Sequence, residues 1–235
     1  MATYAFGMGE MVEFASNGST SMGYLAVPPS GSGPALIVIQ EWWGLVPHIK
    51  ELVDRFAADG FVALAPDLYN GDTTTEPDEA GKLMMALNLT AAAKQMSGAA
   101  DYLLAHPSVS SSNVGVIGFC MGGGLAMVFA CERPDVVAAC CPFYGLIPWP
   151  NAEPDWTKMA AKLQGHFAEL DGFFGPDAAK DLEAKLVATG IDAEIVIHPG
   201  VDHAFCNDHR PEVYNDAEAT VAFSAAKSFL HANVS

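Results

Sequence analysis

The stretch "NVGVIGFCMGGGLAMVFACE" (residues 113–132) decides how this chain is read. Its opening, "NVGVIGF", has the apolar run of a strand covered on both faces. Gly118-Phe119-Cys120-Met121-Gly122 follows, with Gly123, Gly124 and a helical pattern behind it. The form G-x-C-x-G between a buried strand and a helix matches the layout of a nucleophile elbow, G-x-S-x-G. In that turn the glycines let strand and helix pass closely, and the strained central residue lifts its side chain. The helix N-terminus adds partial positive charge and free N–H groups, which favour a thiolate and an oxyanion. The same glycines would also serve tight packing alone, or cradle a phosphate. The Lys-Ser/Thr of a P-loop, however, is absent.

Working outward, "PALIVIQE" (34–41), "FVALAPDL" (61–68) and "VVAACCPFYG" (136–145) read as further buried strands. "KLQGHFAELD" (162–171) and "DAEIVIHP" (192–199) supply two more. Helices are expected over 48–59, over 76–106 in two pieces, over 176–189 and over about 211–232. In the first of these, Ile49, Leu52, Val53, Phe56 and Ala57 fall at helical spacing, and Gly60 suits the C-terminal cap. Alternating stretches at 9–15 and 20–27 flank "SNGST", where Asn17-Gly18 signals a hairpin. "LIPWPNAEPDW" reads as loop. Strand and helix thus alternate, so residues 1–235 are expected to form one α/β domain. Its sheet should be mainly parallel, with antiparallel N-terminal strands and helices on both faces. Ligands in such sheets sit at the carboxyl ends of the strands.

An elbow also demands an acid and then a histidine, in that order, at later strand ends. Asp171 follows the apolar "LQGHFAEL", and His203 lies in the loop after the strand at 192–199. His166 and His198 fall inside strands and His106 ends a helix, while no acid is evident for His48 or His209. Asp202 rivals Asp171, but adjacent side chains rarely point at each other. The expected set is therefore Cys120–His203–Asp171. Glu41 closes an earlier buried strand just before "WWG"; alone it reads equally well as a surface acid. The loop after that strand provides the second oxyanion-hole N–H in an elbow architecture, here from Trp42, paired with that of Met121.

Composition narrows the functions further. With 28 Asp and Glu against 11 Lys and Arg, the formal charge of −17 works against a nucleic-acid partner. The N-terminal segment lacks a basic start, and Glu10 and Glu13 interrupt its apolar residues, so no signal peptide is expected. No apolar run is long enough for a membrane span. Five cysteines, an odd number, fit a reducing cytoplasmic setting. Neither metal nor other cofactor is expected, since Cys140 and Cys141 are adjacent and no C-x-x-C occurs. Cys131, Cys140 and Cys141 read as core thiols. Trp43, Tyr144, Phe173 and Cys206, the last close to His203, stay open between core and pocket wall.

"QEWWG", "APDLY", "GFCMGG", "ELDGFFGP" and "GVDHAF" together resemble, in order, the signature segments of the dienelactone hydrolase (carboxymethylenebutenolidase) family. The resemblance spans essentially the whole chain. It implies the α/β-hydrolase fold with Cys120 as nucleophile, His203 as general base and acid, and Asp171 as its orienting carboxylate. It further implies that Glu41 holds the resting thiol until substrate displaces it. A thioester acyl-enzyme follows, and the reaction is hydrolysis of a small-molecule lactone or ester. The chain departs from the family where arginines hold a substrate carboxylate. Asn207 stands four residues after His203, and Arg210 and Lys82 are the cations nearest those segments. Dienelactone itself, a broader range of uncharged esters or acyl transfer, and a non-catalytic binding role therefore all stay open. The intact Cys–His–Asp set argues against the last.

Overall fold

The computed structural model describes residues 8–16, 18–145, 147–149 and 152–235. Asn17 of the expected hairpin lies outside the described residues. Its flanks pair as anticipated: β1 (Glu10–Ser16) runs antiparallel to β2 (Ser19–Ala26), with Ser16 opposite Ser19. Then follow β3 (Gly33–Ile39), α1 (Pro47–Ala58), β4 (Val62–Pro66), α2 (Pro77–Ala86) and α3 (Leu89–Ala105). The second half holds β5 (Val109–Phe119), α4 (Met121–Glu132), β6 (Val137–Phe143), β7 (Lys162–Ala168), α5 (Pro176–Ala188), β8 (Ala193–His198) and α6 (Asp216–Asn233).

These strands form one sheet in the order β1-β2-β4-β3-β5-β6-β7-β8. From β4 to β8 every pairing is parallel, whereas β2 meets β4 antiparallel. This is the mixed α/β, α/β-hydrolase arrangement. Every residue of β4 is buried, as a strand covered on both faces requires. Successive strand residues point to opposite faces. A Cβ at Gly115 would meet Leu230 and Val234 at the end of α6, and one at Gly118 would meet Gly122 of α4. These positions differ in parity, so α6 and α4 cover opposite faces of β5.

Several boundaries differ from expectation; β6 and β7, for example, end earlier, at Phe143 and Ala168. β5 starts at Val109, because Gly33 pairs with it beyond the apolar run. α6 starts at Asp216 rather than near 211, because the Asn215 side chain accepts from the Glu218 N–H and caps the helix there. Among the described residues, the Trp- and Pro-rich loop ends in a 3-10 turn, Trp156–Lys158. Gly60 takes φ 101° just past α1, one residue beyond the cap position at Asp59.

Sheet register also builds a buried polar chain that no sequence motif announces. His166 Nδ1 lies 3.0 Å from His198 Nε2, and His198 Nδ1 lies 2.9 Å from Glu218 Oε2. The Glu218 carboxylate takes the His198 Nδ1–H, so His198 Nε2 accepts from His166 Nδ1–H. This leaves His166 Nε2 buried and without a partner among the described residues. Burial, then the neighbouring His198, push the His166 pKa down to about 3. A depressed histidine contributes stability that is complete above its unfolded value of about 6.5. That contribution is lost as pH falls through the folded value. The urea midpoint should therefore drop between pH 7 and pH 4. His166→Gln, which keeps a donor but gains no proton, should flatten that slope; an unchanged slope would mean the protons are taken up elsewhere.

Candidate active site

The elbow forms where β5 meets α4. Cys120 has φ 55° and ψ −121°, a conformation L-residues rarely adopt and one costing about 1–3 kcal/mol. The turn leaves no room for side chains on either flank. A Cβ at Gly118 would lie 2.0 Å from the Gly122 carbonyl oxygen. One at Gly122 would lie 2.5 Å from the carbonyl oxygens of both Ile39 and Gln40. The Cys120 N–H donates to the Phe143 carbonyl across 3.0 Å, tying the elbow to the end of β6. Among the described residues, neither the Met121 nor the Trp42 N–H meets an acceptor. Both are thus free to donate to a developing oxyanion. Tyr69, from the "APDLY" segment, donates its hydroxyl to Met121 Sδ at 3.3 Å.

His203, in the loop after β8, and Asp171, in the loop after β7, meet as the sequence order requires. His203 Nδ1 lies 2.7 Å from Asp171 Oδ2. Asp171 Oδ1 accepts from the Phe173 and Phe174 N–H groups at 2.8 and 3.0 Å, which fixes the carboxylate from behind. Burial works to raise the Asp171 pKa, but the hydrogen bond and charge of His203, with those two amides, hold it below the ordinary value. For His203, burial works to lower the pKa. The hydrogen bonds of Asp171 and of the Cys120 sulfur, reinforced by both charges, raise it to about 10. With Nδ1 taken by Asp171, Nε2 is the nitrogen left for the thiol. Asp202 plays a different part: its Oδ1 accepts from the His203 backbone N–H at 2.6 Å.

Glu41 follows β3 and is 1% exposed. Its Oε2 accepts from Asn207 Nδ2 at 2.8 Å, and its Oε1 has no partner among the described residues. The donor that meets it is thus Asn207, the residue standing where an arginine was anticipated. An amide can donate to this carboxylate without neutralising it. Tyr144 is fully buried, with its ring 5.1 Å from that of His203, edge-on. The Phe173 ring lies 5.3 Å from that of His203 yet is 76% exposed, so it stands at the surface and not in the core. Cys206 is buried, and burial followed by the Glu41 charge pushes its thiol well up. Of the four described non-glycine residues with positive φ, three are Cys120, Tyr144 (φ 36°) and Ala204 (φ 64°), and the fourth is Asn70 (φ 54°).

A cavity of about 540 Å³ adjoins Asn207 and is lined by Trp43, Val46, His48, His209 and Arg210. Arg210 is near enough for its charge to act on Tyr144. Lys82 is not brought to the site: it sits on α2, 72% exposed, paired with Glu79 at 2.7 Å. The expectation that His48 and His209 lack acids is corrected. His48 Nδ1 lies 3.2 Å from Asp208 Oδ1, and His209 Nε2 lies 3.0 Å from Glu51 Oε2. The Asn207–Glu41 contact joins residues 166 positions apart, and no local signal could have found it.

The sequence model of the dienelactone hydrolase family matches residues 22–234. Protein usf of Aquifex pyrophilus is 41% identical, with 95% of this chain and 98% of that protein aligned. A protein of Aquifex aeolicus, provisionally named carboxymethylenebutenolidase, is 38% identical over the same shares. Among solved structures, a provisionally described dienelactone hydrolase from Klebsiella pneumoniae superposes with a TM-score of 0.83 at 25% identity. That superposition covers 94% of this chain and 98% of the other.

Proposed function

Since this chain belongs to the dienelactone hydrolase family of ester-hydrolysing enzymes, we propose that Cys120 carries out its lactone or ester hydrolysis through a thioester. The observation that supports this most is the His203–Asp171 contact of 2.7 Å on a ring whose pKa the Cys120 sulfur also raises. His203 Nε2 takes the thiol proton, and the thiolate attacks the carbonyl carbon, forming a C–S bond. The Trp42 and Met121 N–H groups hold the oxyanion. When the C–O bond breaks, the leaving oxygen takes the proton from His203. Water then gives a proton to His203, its oxygen adds to the thioester carbon, and the C–S bond breaks to restore the thiolate. Glu41 serves as the carboxylate that governs the resting thiol, its free Oε1 supporting that part and Asn207 holding the other oxygen. The whole chain acts as a single domain. Five unpaired cysteines support a reducing, cytoplasmic setting.

The substrate is a small ester or lactone that does not depend on a carboxylate clamp. Asn207 is neutral and Lys82 is remote, so among the described residues Arg210 is the Lys or Arg that lines the cavity. Its Nε is already engaged by Glu212 at 2.9 Å. A net charge of −17 adds long-range repulsion of anions, screened beyond about 8–10 Å. The test compares kcat/KM for dienelactone with that for p-nitrophenyl acetate, before and after a thiol alkylator. The uncharged ester should be turned over at least as well, with activity lost as the label appears on Cys120 by mass spectrometry. A strong dienelactone preference that Arg210→Ala leaves untouched would overturn the substrate reading. Loss of activity with Cys120 unlabelled would overturn the nucleophile.

A further inference from the structure

We propose that His48, Asp208 and His209 form a binding site for a divalent cation of the zinc or cobalt(II) class. One ligand atom from each residue lies within 4.8 Å of the other two. His48 comes from α1, whereas Asp208 and His209 come from the loop before α6, so the fold and not a local motif assembles the set. Cysteine spacing, the basis for expecting no metal, is silent about such a cluster. Two imidazoles and one carboxylate are the nitrogen and oxygen donors that zinc accepts, while calcium and magnesium favour all-oxygen sites.

The surroundings support two of the three ligands, while His48 Nε2 is buried without a partner among the described residues. A ligating histidine usually gives its second ring N–H to a carboxylate, and a ligating carboxylate is itself hydrogen-bonded. His209 Nε2 lies 3.0 Å from Glu51 Oε2, leaving Nδ1 for an ion. Arg55 pairs with Asp208 Oδ2, leaving Oδ1, which faces His48 Nδ1 at 3.2 Å. The two carboxylates, Asp208 and Glu51, and the Arg55 guanidinium sum to one negative charge, which a dication would reverse. His48 is buried and the His209 side chain is 43% exposed. Both line the cavity of about 540 Å³, so an ion has an entry path and a fourth position open to water. Tetrahedral coordination at about 2.0–2.1 Å needs donors roughly 3.3 Å apart. His209, the most exposed of the three, is the side chain with most room to close that gap.

Cobalt(II) titration of the Cys120→Ala protein tests this, since the substitution removes the thiolate most able to compete. The expected result is one ion per chain, with visible d–d bands of tetrahedral intensity that zinc bleaches. Adding His209→Ala should weaken binding at least about tenfold without lowering the melting temperature of the metal-free protein. His209 can be altered safely because it is exposed, whereas loss of buried His48 could compromise folding. No cobalt bound at millimolar concentration, or equal affinity with and without His209, would overturn the site.

Discussion

Cys120→Ala and His203→Ala should each lower kcat by several orders of magnitude, and the double variant should be little worse than either. Groups that act as one unit are not additive, and removal of a nucleophile or its base elsewhere costs about 10⁶-fold. Here the unit is physical. Asp171 fixes Nδ1 at 2.7 Å, two backbone N–H groups fix Asp171, and the sulfur acts on the same ring. Without the thiol, His203 has no proton to take; without His203, the thiol has no base. Asp171→Asn should cost less, about 10⁴-fold, because it disturbs the tautomer and leaves the reacting atoms in place. Asp202→Asn should be mild, since its carboxylate serves the His203 backbone N–H. Single-turnover kinetics on the four single variants and the double variant would check this. A severe Asp202→Asn with a mild Asp171→Asn would assign the acid to the wrong residue.

The second large effect concerns folding. Gly122→Ala should leave the protein insoluble or lower its stability by about 4 kcal/mol or more, a size reserved for specific steric or burial faults. The new Cβ would sit 2.5 Å from two carbonyl oxygens at the end of β3, and backbone cannot swing aside as a side chain can. In a chain of this length each kcal/mol shifts the melting temperature by about 2–4 °C, so a loss of about 10 °C is expected. Gly172→Ala is the matched control, because a Cβ there meets nothing within 4 Å. A Gly122→Ala protein that melts with the parent would mean the elbow tolerates a wider turn than its geometry implies.

Much of this architecture was legible because buried parallel strands write themselves as continuous apolar runs. β3, β4 and β6 were found that way, and the elbow glycines announced a turn with no space for side chains. The order Cys120, Asp171, His203 was legible because an elbow at one strand end restricts its partners to later strand ends. Contacts made only by sheet register were not legible. Phe143 pairs with His166 and Ala168 with His198, and this sets two histidines 32 residues apart at hydrogen-bonding distance. Asn207 could be placed in a loop, but its hold on Glu41 depends on how the last loop folds back over β3. The start of α6 was missed for a smaller reason: a side-chain cap at Asn215 outweighed a helical pattern that began earlier.

Cys120, Tyr144 and Ala204 all occupy backbone conformations that glycine would adopt without penalty. The chain nonetheless places side chains at all three: Cys120 and Tyr144 act on the His203 ring, and Ala204 follows it directly in the chain. In landscape language the site is locally frustrated: its residues are not those the backbone would choose, and the well-packed sheet beneath them absorbs the conflict. The rigid strands β3, β5 and β6 are therefore a reserve of conformational energy as well as a scaffold. Substitutions that weaken this sheet would first be felt where the molecule is already held against its own preference.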